Sequence, residues 1–236
     1  MLSFLTHKPI AHRGLHDGNQ DCFENSLSAF DAAIAGDFAI ELDVQLSADN
    51  KAIVFHDREL DRLTAESGTV AARSASELRH IMLGGTSDHV PTLAETLERI
   101  DGRVPVVIEM KDNGARNSEL AKAVASDLED YDGPAAVMSF DHDLLAAFSD
   151  TGSDAPLGLT AEGIGAHALA EHNKALAYGI SFVSYHVKAL PNRFVDHVRK
   201  ELGLPVITWT VRTPEDVEAT RLHADQMTFE GFHPTG

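Results

Sequence analysis

Eight short apolar runs, separated by amphipathic stretches, recur along the whole 236-residue chain, with no low-complexity segment, linker or repeat between them. The runs are Pro9 to His12, Phe38 to Val44, Val104 to Met110, Ala135 to Phe140, Leu157 to Thr160, Ile180 to Tyr185, Pro205 to Val211 and Gln226 to Phe229. Strands alternating with helices build a parallel sheet, because each parallel return needs a crossover of about a dozen residues. Eight of them suggest closure, and about 250 residues is the usual size of a one-domain (β/α)8 barrel. The expected fold class is therefore α/β, a TIM (β/α)8 barrel formed by residues 1–236 as one domain. Helix signals fill the gaps. Asn25/Ser26, Thr92 and Asp141 stand at starts, Pro214 lies in a first turn, and Gly36, Gly179 and Gly203 stand at stops.

One segment breaks the alternation. Ala52 to His56 (AIVFH) follows Leu46 after only SADNK, too short for a parallel crossover, so it should fold back as a hairpin. With the turn near Asp49, His56 returns opposite Leu42, beside Glu41 and Asp43. Residues 50–91 then form an insertion after the second strand. Its part from Asp57 to Pro91, rich in Ser, Thr, Gly and charge, reads as an excursion over the active face and a candidate lid.

The chain is 43% hydrophobic, enough for a full core, and 19 Lys+Arg against 37 Asp+Glu give a formal charge of −18. Such a field repels nucleic acid and anionic membrane surfaces, so neither is an expected partner. An anionic phosphate substrate would meet the same repulsion, for which a divalent cation in the site is the usual remedy. Cys22 is the single cysteine and excludes an intrachain disulfide. The N-terminus lacks the apolar core and cleavage site of a signal peptide, and no run approaches about 20 apolar residues, so a cytoplasmic location is expected.

Polar residues at the C-terminal ends of barrel strands face the active site. The first strand ends in IAHRG, where His12 can transfer protons near neutral pH and Arg13 offers a fork of donors suited to phosphate. A strand that merely stops at a charged turn is the plainer alternative. In IELDVQL, Glu41 and Asp43 lie two apart and point to one face, while Ile40, Leu42 and Val44 take the other. Two anions aimed together call for a positive partner, and a hard cation such as Mg²⁺ or Ca²⁺ suits carboxylate oxygens. An edge strand with its polar face in water is the alternative. VVIEMK repeats the pattern. Glu109 can complete a three-carboxylate site, and Lys111 can meet a phosphate oxygen, unless the two are an ordinary pair at a strand exit. His56 ends the hairpin return as a second histidine, followed by Asp57, which either orients it or begins the loop. Trp209, the lone tryptophan, either contacts the carbon part of a substrate or fills the core. His186 and Lys188 are second-rank candidates. The remaining histidines read as solvated or structural, and Asp141, Asp143 and Asp150 as capping and surface charge.

In order, the chain spells IAHRG, ENS, IELDVQLSADNKAIVFHD, LDRLT, VPTLAETL, VVIEMK, SFD and ITWTV. Together these resemble the glycerophosphodiester phosphodiesterase family, a phosphatidylinositol phosphodiesterase-like TIM barrel, densely from Pro9 to Lys111 and more thinly beyond. The resemblance implies a small insertion after the second strand and one divalent cation, Mg²⁺ or Ca²⁺ with Mn²⁺ also suitable, on Glu41, Asp43 and Glu109. It implies His12 and His56 as acid and base, Arg13 and Lys111 as phosphate contacts, and Glu24 as polar support at the rim. The implied reaction is hydrolysis of a small-molecule glycerophosphodiester, through a cyclic phosphate, to glycerol 3-phosphate and an alcohol. Where members commonly end the eighth strand with Thr-Asp-x-Pro, this chain reads MTFEGFHP, placing Phe229 and Glu230 at that rim. A lysophospholipase D-like or sphingomyelinase D-like phosphodiesterase is a second reading, and a non-catalytic phosphate-ester-binding barrel a third. The sequence sets neither the head group nor the oligomeric state.

Overall fold

A computed structural model of the chain describes residues 2–234. A short helix α1 (Phe4–His7) precedes β1 (Ile10–Ala11), α2 (Leu27–Ala35), β2 (Ala39–Leu46) and a return strand β3 (Ala52–Val54). After α3 (Ala75–Leu78) come α4 (Leu93–Ile100), β4 (Val106–Met110), α5 (Asn117–Glu129), β5 (Ala135–Ser139) and α6 (His142–Ser149). The chain continues through β6 (Leu157–Ala161), α7 (Ala166–Ala175), β7 (Phe182–His186), α8 (Arg193–Lys200), β8 (Val206–Val211), α9 (Pro214–His223) and β9 (Gln226–Phe229).

Neighbouring strands run β1-β9-β8-β7-β6-β5-β4-β2, and a parallel pairing of β1 with β2 joins the ends. The expected eight strands therefore close a TIM (β/α)8 barrel, with small shifts at their ends. β3 is antiparallel to β2, pairing Val44 with Val54 and Leu46 with Ala52. The turn between them uses Asn50 at φ 61°, a left-handed conformation that Asn tolerates. Beyond β3, the Phe55 N–H donates to the Asp43 carbonyl at 3.0 Å, so the return continues as the hairpin register requires.

The helix starts follow their capping chemistry. Ser26, Thr92 and Asp141 each accept a backbone N–H of the first turn, and Thr213 forms a capping box with Asp216 ahead of α9. Outward strand residues such as Ile40, Leu42, Val44, Val106 and Ile108 pack against the helical layer in the main core. Inward residues Ile10, Ala39, Val107, Ala136, Met138, Phe182 and Ile207 fill the barrel's lower interior and form the floor beneath its mouth.

The excursion between β3 and α4 has a core of its own. Phe23, Ile53, Phe55, Leu60, Leu63, Val70, Leu78, Ile81, Leu83 and Val90 form a second apolar cluster within it. It is a packed cap, because its sparse apolar residues converge although the polar ones between them dominate the composition.

Gly158 tests the floor. A Cβ there would lie 2.3 Å from the Phe182 ring, which occupies the barrel interior. Gly158→Ala should destabilise the fold by about 1–3 kcal/mol through overpacking, seen as a lowered urea midpoint. An unchanged midpoint would mean that Phe182 does not fill this space.

Candidate active site

β2 and β4 pair in register with Asp43 opposite Glu109, and both Glu41 and Asp43 point inward with only 1% of their surface exposed. The three carboxylates of Glu41, Asp43 and Glu109 offer oxygens that all lie within 4.8 Å of one another. The outward set of β2 packs in the core, so the edge-strand alternative is excluded. Lys111 Nζ lies 2.8 Å from Asp43 Oδ1 and also contacts Glu109. Arg13 Nε stands 3.2 Å from Asp43 Oδ2, while the Arg13 backbone N–H donates to Glu41 Oε2 at 2.9 Å. Asn25, buried at 1% exposure, donates to Asp43 Oδ2 at 2.9 Å and accepts the Asp43 backbone N–H at 3.2 Å. Arg13 and Asn25 hold φ values of 54° and 56°, a left-handed backbone uncommon outside glycine and often found where a site dictates the geometry.

Charge is divided unevenly across this cluster. Burial, reinforced by Asp43 and Glu109, pushes the Glu41 carboxyl well above its ordinary range. Burial also raises Glu109, against the pull of Lys111. At Asp43 burial acts upward too, but Lys111 and Arg13 outweigh it and hold the group below the usual carboxylate range. Among these buried anions Glu41 is thus the least compensated.

Each candidate histidine is held through Nδ1 by a carboxylate. His12 Nδ1 lies 2.5 Å from Glu230 Oε2, and its Nε2 lies 3.9 Å from Glu41 Oε2. Glu230 is clamped in turn by Arg212, at 2.9 Å from Nη2 and 3.2 Å from Nε. His56 Nδ1 lies 2.7 Å from Asp57 Oδ1, and Arg62 bridges Asp57 at 2.5 Å and Glu24 at 2.7 Å. Glu24 also accepts from Arg13 and Asn19 at 2.7 Å each. Burial lowers both histidine pKa values, outweighing the carboxylates that favour the charged ring. Burial would raise Glu230, yet His12 and Arg212 bring it down to about 2. Each imidazole thus directs Nδ1 to a carboxylate and turns Nε2 away from it, the orientation that proton transfer at Nε2 needs.

The structure brings His12, Arg13, Glu24, Glu41, Asp43, His56, Glu109 and Lys111 into one network. Trp209 stands half-buried on β8, its ring 5.2 Å from Phe140 and 4.8 Å from His186. Of the second-rank pair, Lys188 is tied to Asp216 at 2.6 Å. Phe229 is not at the rim. It is 1% exposed and packs outward on Phe38, with ring centroids 4.9 Å apart, because it alternates with the inward Thr228. Glu230 alone occupies the rim. Asn25, Arg62, Arg212 and the role of Glu230 as partner to His12 escape a reading of the chain by local pattern. The His172 and His89 rings bond the Glu162 carbonyl and Glu95, consistent with structural service.

Three buried carboxylates compensated by two cationic side chains, Arg13 and Lys111, form a donor set suited to a hard divalent ion. Glu41, Asp43 and Glu109 would hold the ion.

Comparison with known proteins agrees with this geometry. The glycerophosphoryl diester phosphodiesterase family model matches residues 12–229. A glycerophosphodiester phosphodiesterase of Bacillus altitudinis is 33% identical over 156 residues, covering 60% of this chain and 61% of that one. One from Caldanaerobacter subterraneus is 28% identical over 221 residues, covering 89% and 87%. Two curated Bacillus relatives are thus spanned over 44% and 61% of their own length. A solved phosphodiesterase of Oleispira antarctica, in complex with the product sn-glycerol-3-phosphate, shares the fold at a TM-score of 0.83 and 22% identity, over 96% of this chain and 95% of that one. With a match that runs from His12, just beyond β1, to Phe229 at the end of β9, the chain belongs to the glycerophosphoryl diester phosphodiesterase family.

Proposed function

We propose that this protein is a metal-dependent phosphodiesterase that hydrolyses small glycerophosphodiesters to glycerol 3-phosphate and an alcohol. The observation that carries the reading is one barrel mouth joining three carboxylates to two histidines, each held through Nδ1 with Nε2 free. The family match supports the reaction class, and the product complex of the Oleispira relative supports glycerol 3-phosphate as product. In this reading residues 1–236 form one catalytic domain, and the insertion at 50–91 supplies His56, Asp57 and Arg62.

The glycerol hydroxyl next to the phosphodiester attacks phosphorus while one histidine Nε2 takes its proton. The bond from phosphorus to the alcohol oxygen breaks, and the other histidine, which enters the step as the imidazolium, gives its Nε2 proton to that oxygen. A cyclic phosphate and the free alcohol result. Water then opens the ring, with the two histidines exchanging roles, to leave glycerol 3-phosphate. Arg13 and Lys111 bring positive charge to the phosphoryl oxygens, and Trp209 borders the carbon part of the substrate. A Mg²⁺, Ca²⁺ or Mn²⁺ ion on Glu41, Asp43 and Glu109 supplies further charge neutralisation when bound.

The direct test follows glycerol 3-phosphate release from a panel of glycerophosphodiesters after chelation and after each metal is restored. Turnover should require metal, and His12→Ala or His56→Ala should each lower kcat by about 10²- to 10⁴-fold. No turnover on any diester by folded, metal-binding protein would sink the reading and direct the search to lysophospholipids or to a binding role. Metal binding has its own readout. Mg²⁺, Ca²⁺ or Mn²⁺ should raise Tm by relieving repulsion among the carboxylates, by an amount that grows with concentration, and Asp43→Asn should abolish the shift. An equal shift in the variant would remove this cluster as the metal site. Glu230→Gln keeps shape but loses the charge that steadies His12, and kcat should fall at least about tenfold with little change in KM. A change confined to KM would assign Glu230 to substrate binding instead.

A further inference from the structure

The inward-facing rows of the barrel change chemistry around the mouth. On β2 and β4, the step above the apolar floor is occupied by Glu41, Asp43 and Glu109. On β5, β7 and β8, it is aromatic or nearly so. Phe140 follows the inward Ala136 and Met138, His186 follows the inward Phe182, and Trp209 follows the inward Ile207. Strands β7 and β8 align His186 with Trp209 in register. Period-two alternation therefore carries these three rings to the same mouth as the carboxylates, on its other side.

Their arrangement is open to a ligand. Phe140 is 42% exposed, so a face of its ring is available at the barrel mouth. The Phe140 and Trp209 rings stand at 86° with centroids 5.2 Å apart, forming two walls of a corner. His186 stands 4.8 Å from Trp209 at 44°. The Trp209 indole N–H is buried and finds no hydrogen-bond partner among the described residues, where an indole N–H ordinarily has one. A corner of ring faces attracts cations that shed water easily, above all a quaternary ammonium. The charge field agrees. The chain carries a formal −18, and Lys188, two residues beyond His186, is neutralised by Asp216 at 2.6 Å.

We infer that Phe140, Trp209 and His186 form the subsite for the leaving alcohol, and that it selects a quaternary ammonium alcohol such as choline. This inference rests on the phosphodiesterase reading, because it is the departing alcohol that the corner would hold. The cationic head group stacks against the rings while the phosphodiester lies toward the carboxylates and the two histidines. Primary ammonium and neutral polyol head groups gain less there, the first because it holds its water tightly and the second because it carries no charge.

Trp209 is the only tryptophan of the chain, so its fluorescence reports on the corner without any turnover. Choline and tetramethylammonium should each change that fluorescence saturably, whereas 3,3-dimethylbutanol, the uncharged carbon isostere of choline, should bind more weakly. In turnover, kcat/KM for glycerophosphocholine should exceed that for its 3,3-dimethylbutyl analogue by about 2- to 30-fold, the span of a cation–π contact. Phe140→Leu keeps apolar bulk but removes a ring face, and should shrink this preference. Turnover without preference, or identical fluorescence responses to choline and the isostere, overturns the subsite and leaves the phosphodiesterase reading standing. A saturable response to choline without turnover of any diester leaves the subsite standing and overturns the reaction.

Discussion

Three carboxylates held within 4.8 Å of one another, at exposures of 1%, 1% and 6%, set the terms for everything around them. At an effective dielectric of about 20, two ionised carboxylates at that spacing repel by about 3–4 kcal/mol. The fold meets this repulsion with placed groups. Lys111 and Arg13 hold Asp43 ionised, Asn25 offers it a donor and accepts its N–H, and the Arg13 backbone N–H goes to Glu41. What remains uncompensated is concentrated on Glu41 and Glu109, whose carboxyls are raised by burial. A cation entering the cluster is favoured by the same forces that make the cluster unfavourable alone.

The histidines are tied to that cluster from two sides by similar devices. Each imidazole rests on a carboxylate, and each carboxylate rests on an arginine: Glu230 on Arg212, and Asp57 on Arg62. Arg62 also reaches Glu24, which grips Arg13, so the cap and the first strand end share one network. The apolar cluster under the cap therefore matters to chemistry at a distance. Packing Phe55 and Leu60 on Phe23 and Ile53 fixes the flanks of His56, Asp57 and Arg62.

The barrel and much of this site were legible in the chain, for reasons that can be named. Eight apolar runs with helix signals between them admit few arrangements, and period two alone aims Glu41 with Asp43. His56 follows from the length of SADNK, since a five-residue connection fixes an antiparallel return and hence its register. What escaped depends on contacts between distant parts of the chain. Asn25 looks like a helix cap and Ser26 does that work, freeing Asn25 to bond Asp43. Arg62 meets Glu24 across 38 positions, and Glu230 meets His12 across 218. The packing of the cap is not legible in its composition, which counts residues, while packing depends on which few of them converge.

The link between Glu230 and His12 follows from closure itself. β1 pairs with β9, setting Ala11 against Phe229, and the His12 N–H donates to the Phe229 carbonyl at 3.0 Å. The next residue of each strand must then stand beside the other at the mouth. A sheet of the same strands left open between β1 and β9 would put His12 and Glu230 on opposite edges. In a closed barrel they are neighbours, and β2 adjoins β1 on its other side, bringing Glu41 within 3.9 Å of the same imidazole. His12 thus sits between a carboxylate held below its ordinary pKa, Glu230, and one raised above it, Glu41. That asymmetry directs the Nδ1 proton to Glu230 and leaves Nε2 facing the cluster, so the orientation of the ring is a consequence of which strands the barrel makes adjacent.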